Sequence, residues 1–191
     1  MARLTTAPPV FVAPARVGRG LFAARAFRRG ETIVPIEGRV VDYRLLWKRQ
    51  GSRFSANCFR FGPETYLDPG DGPGAFLNHS CAPNAAIVKT ANRLYLVAAG
   101  RILKGSEIAI DYSTTIGDDD VWRMRCRCGT PRCRRVIRNL GSLPEELRAH
   151  YLANGFVPPF VVRTLTGDSI PSPSSRSGRA GERSRRRRAL P

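Results

Sequence analysis

Phe76-Leu77-Asn78-His79-Ser80-Cys81 and, further along, Glu107-Ile108-Ala109-Ile110-Asp111-Tyr112 are the two stretches on which the fold turns. The second reads as a strand ending in an acid and a tyrosine. The first lies before the strands that lead to it. Taken alone, His79 is ambiguous, because a single histidine among apolar residues is more often a satisfied core group than a catalyst. With His150 as the other histidine, no histidine-rich catalytic metal site can be assembled. Asn78-His79-Ser80 is formally a glycosylation acceptor, a reading that an intracellular chain does not use.

Working outward, Thr65-Tyr66-Leu67-Asp68 reads as a short strand, and residues 85–90 with 93–99 read as a hairpin turning at Ala91-Asn92. Upstream the pattern is short β runs punctuated by Gly and Pro, with one helical candidate at Asp42–Gln50. Two segments echo each other at an offset of 75, Ala24 to Ile33 and Ala99 to Ile108, each an apolar anchor, a basic-Gly turn and a strand. Gly30 and Gly105 are expected to supply positive φ at those turns. The expected fold is mostly β with short helices, built of several small antiparallel sheets.

Cys126-Arg127-Cys128-Gly129-Thr130-Pro131-Arg132-Cys133 is a compact thiol cluster in a basic, turn-rich stretch. Its spacing suits structural zinc, which is tetrahedral with Zn–S bonds near 2.3 Å, and Gly129 and Pro131 supply the tight turn that such spacing requires. Three thiolates want a fourth ligand, and Cys81 or Cys58 must complete the set. Five cysteines, three of them crowded together, make poor material for a disulfide framework. Beyond the cluster, Leu143 to Leu152 reads as a short docking helix with Ser142 as its cap, Pro144 in its first turn, and Leu143, Leu147 and Tyr151 on one face. Residues 168–191 are Ser, Pro, Gly and Arg with little to bury, and are expected to form a disordered tail.

A chain of 191 residues with 42% hydrophobic content supports one modest domain. No apolar run approaches a membrane span, and residues 1–17 carry no signal-peptide core. The expectation is a soluble, cytoplasmic protein. The formal net charge is +17, carried by 29 Arg and 3 Lys against 15 acids. Such a balance favours an acidic partner, nucleic acid or a protein bound to it, and with it an association with nucleoid or chromatin.

Taken in order, these stretches resemble the SET-domain protein-lysine N-methyltransferase family. Val17-Gly18-Arg19-Gly20-Leu21-Phe22 resembles its opening glycine motif, Tyr66-Leu67-Asp68 its tyrosine strand, and Phe76 to Cys81 its Asn-His-Ser-Cys motif. Glu107 to Tyr112 resembles its acidic-aliphatic Asp-Tyr segment, and Cys126 to Cys133 its post-SET zinc cluster. The resemblance implies small sheets around a threaded, pseudoknot-like segment. It divides the chain into a SET domain at 10–113, a post-SET zinc-binding segment at 121–137, a C-terminal docking helix region at 138–167 and the tail.

The resemblance also implies roles. S-adenosylmethionine would be held by Gly18, Arg19, Gly20, Asn78, His79 and Tyr112, with a side chain at Gly20 obstructing the approach. One structural Zn²⁺ would be held by Cys81, Cys126, Cys128 and Cys133, leaving Cys58 outside the set. Tyr112 and Tyr66 would be catalytic, lining the channel for the lysine of a protein substrate. A lysine of pKa about 10.4 is neutral in only roughly one molecule in 2500 at pH 7, a penalty of about 4.6 kcal/mol that a narrow aromatic channel lowers by desolvation.

Two departures stand out. Residues 1–16 contain no cysteine that could belong to the pre-SET cluster of many histone-directed relatives, and the segment after Tyr112, Ser113 to Asp120, lacks the aromatic residue that often sets methylation number. Two rival readings keep the zinc and drop the chemistry. One is an inactive SET-like module docking on chromatin, nucleoid or nucleic acid through its basic surface and tail. The other is a nucleic-acid-binding zinc knuckle.

Overall fold

A computed structural model describes residues 7–42, 58–120 and 122–167. Strand β1 (Val10–Pro14) turns through Gly18, at φ +60°, into β2 (Arg19–Ala23). The expected hairpin forms as β8 (Ala85–Thr90) and β9 (Arg93–Ala98), with Ala91 at positive φ in its turn. Strand β3 (Thr32–Ile36) pairs with β9 along its other edge. A third sheet joins β4 (Arg39–Asp42), β5 (Phe59–Arg60) and β6 (Thr65–Asp68), with β6 central. The inward residues Leu21, Ala23, Ile87, Leu94, Leu96, Ile108 and Ile110 are fully or almost fully buried in one core.

The sheet that positions the site is mixed. β7 (Asn78–His79) is two residues long and runs parallel to β10 (Glu107–Ile110), which pairs antiparallel with β2 on its other side. The order β1-β2-β10-β7 leaves β7 at the edge. A parallel pair needs a long crossover; here the β8–β9 hairpin and the turns flanking it supply one. The parallel pairing brings residues 78–81 beside 107–112. The expectation of antiparallel sheets alone is corrected at this one pair.

The two echoing segments face each other. Phe27 and Ile102 exchange both backbone hydrogen bonds, at 2.9 and 3.0 Å. Gly30 N–H donates to Ala98 O while Gly105 N–H donates to Ala23 O, both at 2.8 Å, and both glycines sit at φ 82°. Ala98 N–H donates to Glu31 O, matched by Ala23 N–H to Ser106 O. Every bond has a mate 75 residues away, a local two-fold arrangement around the buried Phe27 and Ile102.

Towards the C-terminus, β11 (Met124–Arg125) pairs with β12 (Val136–Ile137) and brackets the cysteine cluster. Helix α1 (Glu145–Ala153) forms where a helix is expected, with Tyr151 buried and Glu145 and Glu146 in the favourable first turn. Its cap differs. Pro144 stands at the N-cap, because Ser142 is committed to the 3₁₀ turn before it: its N–H donates to the Asn139 side chain and its hydroxyl to Asn139 O. A second helix, α2 (Pro159–Leu165), was not expected; its Phe160 and Val161 pack with Leu140, Leu143, Tyr151 and Ala86, docking this region on the β8 edge. The helical candidate Asp42–Gln50 lies outside the described residues except for Asp42, which ends β4. The tail at 168–191 also lies outside them. Among the described residues no helix is long and apolar enough to cross a membrane.

Candidate active site and metal centre

Asn78 organises the glycine loop. Its amide nitrogen lies 3.2 Å from Val17 O, 3.1 Å from Arg19 O and 2.7 Å from Glu107 Oε1, so one side chain on β7 holds the β1–β2 turn against β10. Glu107 also explains Gly20: a Cβ there would lie 2.5 Å from its Oε1 and 2.8 Å from Ala15 Cβ. A side chain at Gly20 would have to displace Ala15 and the Glu107 carboxylate. Arg19 is exposed and lays its guanidinium over the Phe76 ring, 4.5 Å from the centroid.

A pocket of about 170 Å³ opens beside this arrangement, lined by Arg16, Val17, Asn78, His79, Asn84 and Glu107 among others. Among the described residues Glu107 is the one acid in its wall. Gly18 borders a larger groove of about 1070 Å³ that shares Arg16 and Val17 with it and runs to Cys126 and Gly129. An edge strand, a carboxylate and side-chain amides give this pocket a polar wall.

On the other side of Leu77 lies a narrow pocket of about 40 Å³, room for no more than about three waters. Cys58, Tyr66, Leu77, Tyr112, Asp120 and Trp122 line it, with Arg60 at its margin. Tyr112 lines this narrow pocket and is bonded to His79, which lines the wider one. Its hydroxyl donates to Leu77 O at 2.6 Å, its backbone N–H donates to His79 Nδ1 at 3.2 Å, and its ring meets His79 edge-on at 5.3 Å. Desolvation, helped by the Glu107 carboxylate, pushes the Tyr112 phenol up to about 12, so it stays protonated. Burial pushes the Asp120 carboxyl up, against hydrogen bonds from the Trp122 N–H and the Tyr66 side chain and the pull of Arg60.

Three pocket residues were not read from the sequence. Trp122 packs against Tyr112 at 6.4 Å between centroids, restoring from ten residues downstream the aromatic neighbour that Ser113 to Asp120 lack. A tryptophan two residues after the acidic run Asp118-Asp119-Asp120 was the available signal. Asp120 gave none, and neither did Arg60, which is buried and holds both oxygens of Asp119 at 2.5 and 2.6 Å.

The sulfurs of Cys81, Cys126, Cys128 and Cys133 all lie within 4.8 Å of one another. Cys81 and Cys126 are 3.7 Å apart, close to the roughly 3.8 Å edge of a tetrahedron with 2.3 Å Zn–S bonds. Backbone N–H groups of Arg134 and Cys128 point at the Cys81 and Cys126 sulfurs, at 3.4 and 3.5 Å, as thiolates require. The four thiols fit a metal ion. Cys58, the other candidate, lies in the narrow pocket instead, its thiol pushed up to about 11 by burial and the Asp68 carboxylate.

Behind the site, buried Asp111 accepts from Arg134 Nη2 at 2.6 Å, from Tyr151 Oη at 3.1 Å and from Ser113 N–H at 3.1 Å. His79, with a side chain only 4% exposed, has its pKa lowered to about 4, by desolvation first, with Arg134 adding and Asp111 opposing. It is neutral at physiological pH.

Comparison with known proteins agrees with this geometry. A family model of the SET domain matches residues 18–113. Human Histone-lysine N-methyltransferase 2B is 33% identical over 130 residues, 63% of this chain and 5% of that protein. Histone-lysine N-methyltransferase trr of Drosophila melanogaster is 30% identical over 137 residues, 66% of this chain and 6% of that protein. The crystal structure of the methyltransferase domain of human Histone-lysine N-methyltransferase SETMAR aligns with a TM-score of 0.53 at 25% identity, covering 64% of this chain and 54% of that one. The chain thus spans only a small fraction of the curated relatives' length. The family model matches half of the chain and includes both β7 and β10, so the chain belongs to the SET-domain family of protein-lysine methyltransferases.

Proposed function

We propose that the chain transfers a methyl group from S-adenosylmethionine to the side-chain amine of a lysine in a protein substrate. The observation that carries this is Tyr112, which lines the narrow aromatic pocket, donates to Leu77 O in its wall, and is bonded through its backbone N–H to His79 in the wall of the wider polar one. S-adenosylmethionine, held by Asn78, His79 and Glu107 with the Gly18–Gly20 loop alongside, would supply an electrophilic methyl carbon on a sulfonium.

The chain's own residues then have three tasks. Tyr66, Trp122 and Tyr112 exclude water, which disfavours the ammonium form of the entering lysine. Tyr112, its proton committed to Leu77 O, offers its phenol oxygen as an acceptor that aims an amine N–H, leaving the nitrogen lone pair free for in-line attack. Asp120 draws the cationic side chain towards the pocket before it loses its proton. Cys81, Cys126, Cys128 and Cys133 would hold one Zn²⁺ as scaffold, remote from the transferred methyl in role.

The relatives are named for histone lysines. A net charge of +17 repels a free, lysine-rich basic tail, so the favoured substrate here is a lysine in a protein already neutralised by nucleic acid, or one flanked by acids. On the first of these readings the protein would work at chromatin or nucleoid. The test is titration with S-adenosylmethionine, then incubation of labelled cofactor with lysate of the host, using wild type and Tyr112→Phe. Saturable cofactor binding is expected, with label on a lysine that falls about 100-fold in rate in Tyr112→Phe while cofactor affinity stays within a few-fold. A wild-type chain that binds no cofactor and labels nothing would sink the reading.

A further inference from the structure

We infer that His79 is a positioning residue whose ring couples the thiol centre to Tyr112, so that cofactor binding and metal retention depend on each other. The inference rests on the reading of the four thiols as a zinc site and concerns what His79 does towards it.

The direction of the two hydrogen bonds follows from the donors. The Tyr112 backbone N–H lies 3.2 Å from His79 Nδ1, and a backbone N–H can only donate, so Nδ1 carries a lone pair. Asp111 Oδ1, on the same side, stands off at 3.6 Å, too far for a hydrogen bond. A neutral imidazole with an accepting Nδ1 has its proton on Nε2, and Nε2 lies 3.2 Å from Cys81 Sγ. The ring thus accepts from Tyr112 at one end and donates to a sulfur of the cluster at the other, with almost no exposure to water that would compete for either bond.

The consequence is mechanical and electrostatic. Cys81 receives two N–H donors, from His79 and from the Arg134 backbone, both of which favour a thiolate and fix its direction. His79 is also the last residue of the edge strand that walls the wider pocket, so whatever orders that strand orders the ring. A ligand seated there stiffens the Nε2 bond to Cys81. A filled metal centre stiffens the Nδ1 bond to Tyr112. By linkage, the factor by which one binding event strengthens the other is the same in both directions.

Two substitutions separate the ends of the ring. His79→Asn keeps a side-chain carbonyl near the Nδ1 position for the Tyr112 N–H and loses the donor to sulfur; His79→Gln keeps an amide N–H near the Nε2 position and loses the acceptor. Zinc release from the full chain to a chromogenic chelator, measured with and without S-adenosylmethionine, reads the coupling without activity. His79→Asn is expected to release zinc about 10- to 100-fold faster than wild type and His79→Gln within a few-fold of it. The cofactor is expected to slow release from wild type and to lose most of that effect in both variants. Equal release from His79→Asn and wild type, or equally fast release from both variants, overturns the inference while leaving the zinc reading intact. A wild-type chain without zinc overturns the metal reading and this inference together. Independently of any variant, long-range ¹H–¹⁵N spectra of wild type should show His79 as the Nε2–H tautomer; an Nδ1–H tautomer overturns the inference.

Discussion

Cys58 shares a wall with Tyr66 and Tyr112, and its thiol is pushed up to about 11 by burial and by Asp68. Reactivity follows the thiolate, so the rate of alkylation should be about 100-fold below that of an ordinary thiol of pKa near 9, and should keep rising tenfold per pH unit through pH 10. The sign for stability is the reverse of an acid with a lowered pKa: the unfolded chain ionises Cys58 first, so this residue disfavours folding as pH rises above about 9. Mass spectrometry after timed alkylation checks the rate, and a plateau below pH 9 would contradict the buried thiol. Single residues are also where the sequence was read unevenly. Asn78, His79 and Tyr112 stood out through their neighbours and the resemblance. Glu107 did not, because what marks it is a bond to Asn78, 29 positions away, and a clash it would make with any side chain at Gly20.

Between elements, Asp111 is the tie: one carboxylate at the end of β10 joins Arg134, beside the cysteine cluster, to Tyr151 on α1. The two partners differ in what they lose if the tie is cut. Asp111→Asn leaves the Arg134 cation without its counter-charge, a cost of about 3–5 kcal/mol; Tyr151→Phe removes one neutral donor, a cost of about 1–2 kcal/mol. Urea unfolding should resolve that difference, and equal costs would mean that Asp111 is held by packing alone. The helix itself was legible because Leu143, Leu147 and Tyr151 mark a face. Its start was misplaced because Ser142 has two turns to serve and the 3₁₀ turn takes it. The parallel β7–β10 pair was illegible to any periodicity argument, since a two-residue strand has no period.

For the molecule as a whole, the C-terminal third has little apolar material near the cysteines: Ile137 with the partly buried Tyr112 and Trp122 and the thiols themselves make up their cluster. Metal binding contributes folding free energy of order 10 kcal/mol in small modules. Wild type should carry one zinc per chain by metal analysis, and Cys126→Ser should lose it and expose residues 122–138 to proteolysis while the sheets around Leu21 and Leu96 survive. An intact zinc stoichiometry in that variant would refute the assignment. Charge acts at this scale too. Deleting residues 168–191 removes seven arginines and two acids, and should weaken duplex DNA binding at low salt and flatten its salt dependence, with methyl transfer to a short peptide unchanged. Unaltered DNA affinity would assign the nucleic-acid surface to the body of the protein.

The paired arms around Phe27 and Ile102 act as a clasp. Six backbone bonds fasten residues 23–31 to residues 98–106, so the polypeptide between them is shut into a ring without a covalent link. Neither arm has its bonding partners until that long loop has closed, so the entropy of closure is met before these bonds can form. A nick inside the ring would leave both fragments fastened, whereas loss of either arm would strip the other of its hydrogen bonds and open the threaded site with it.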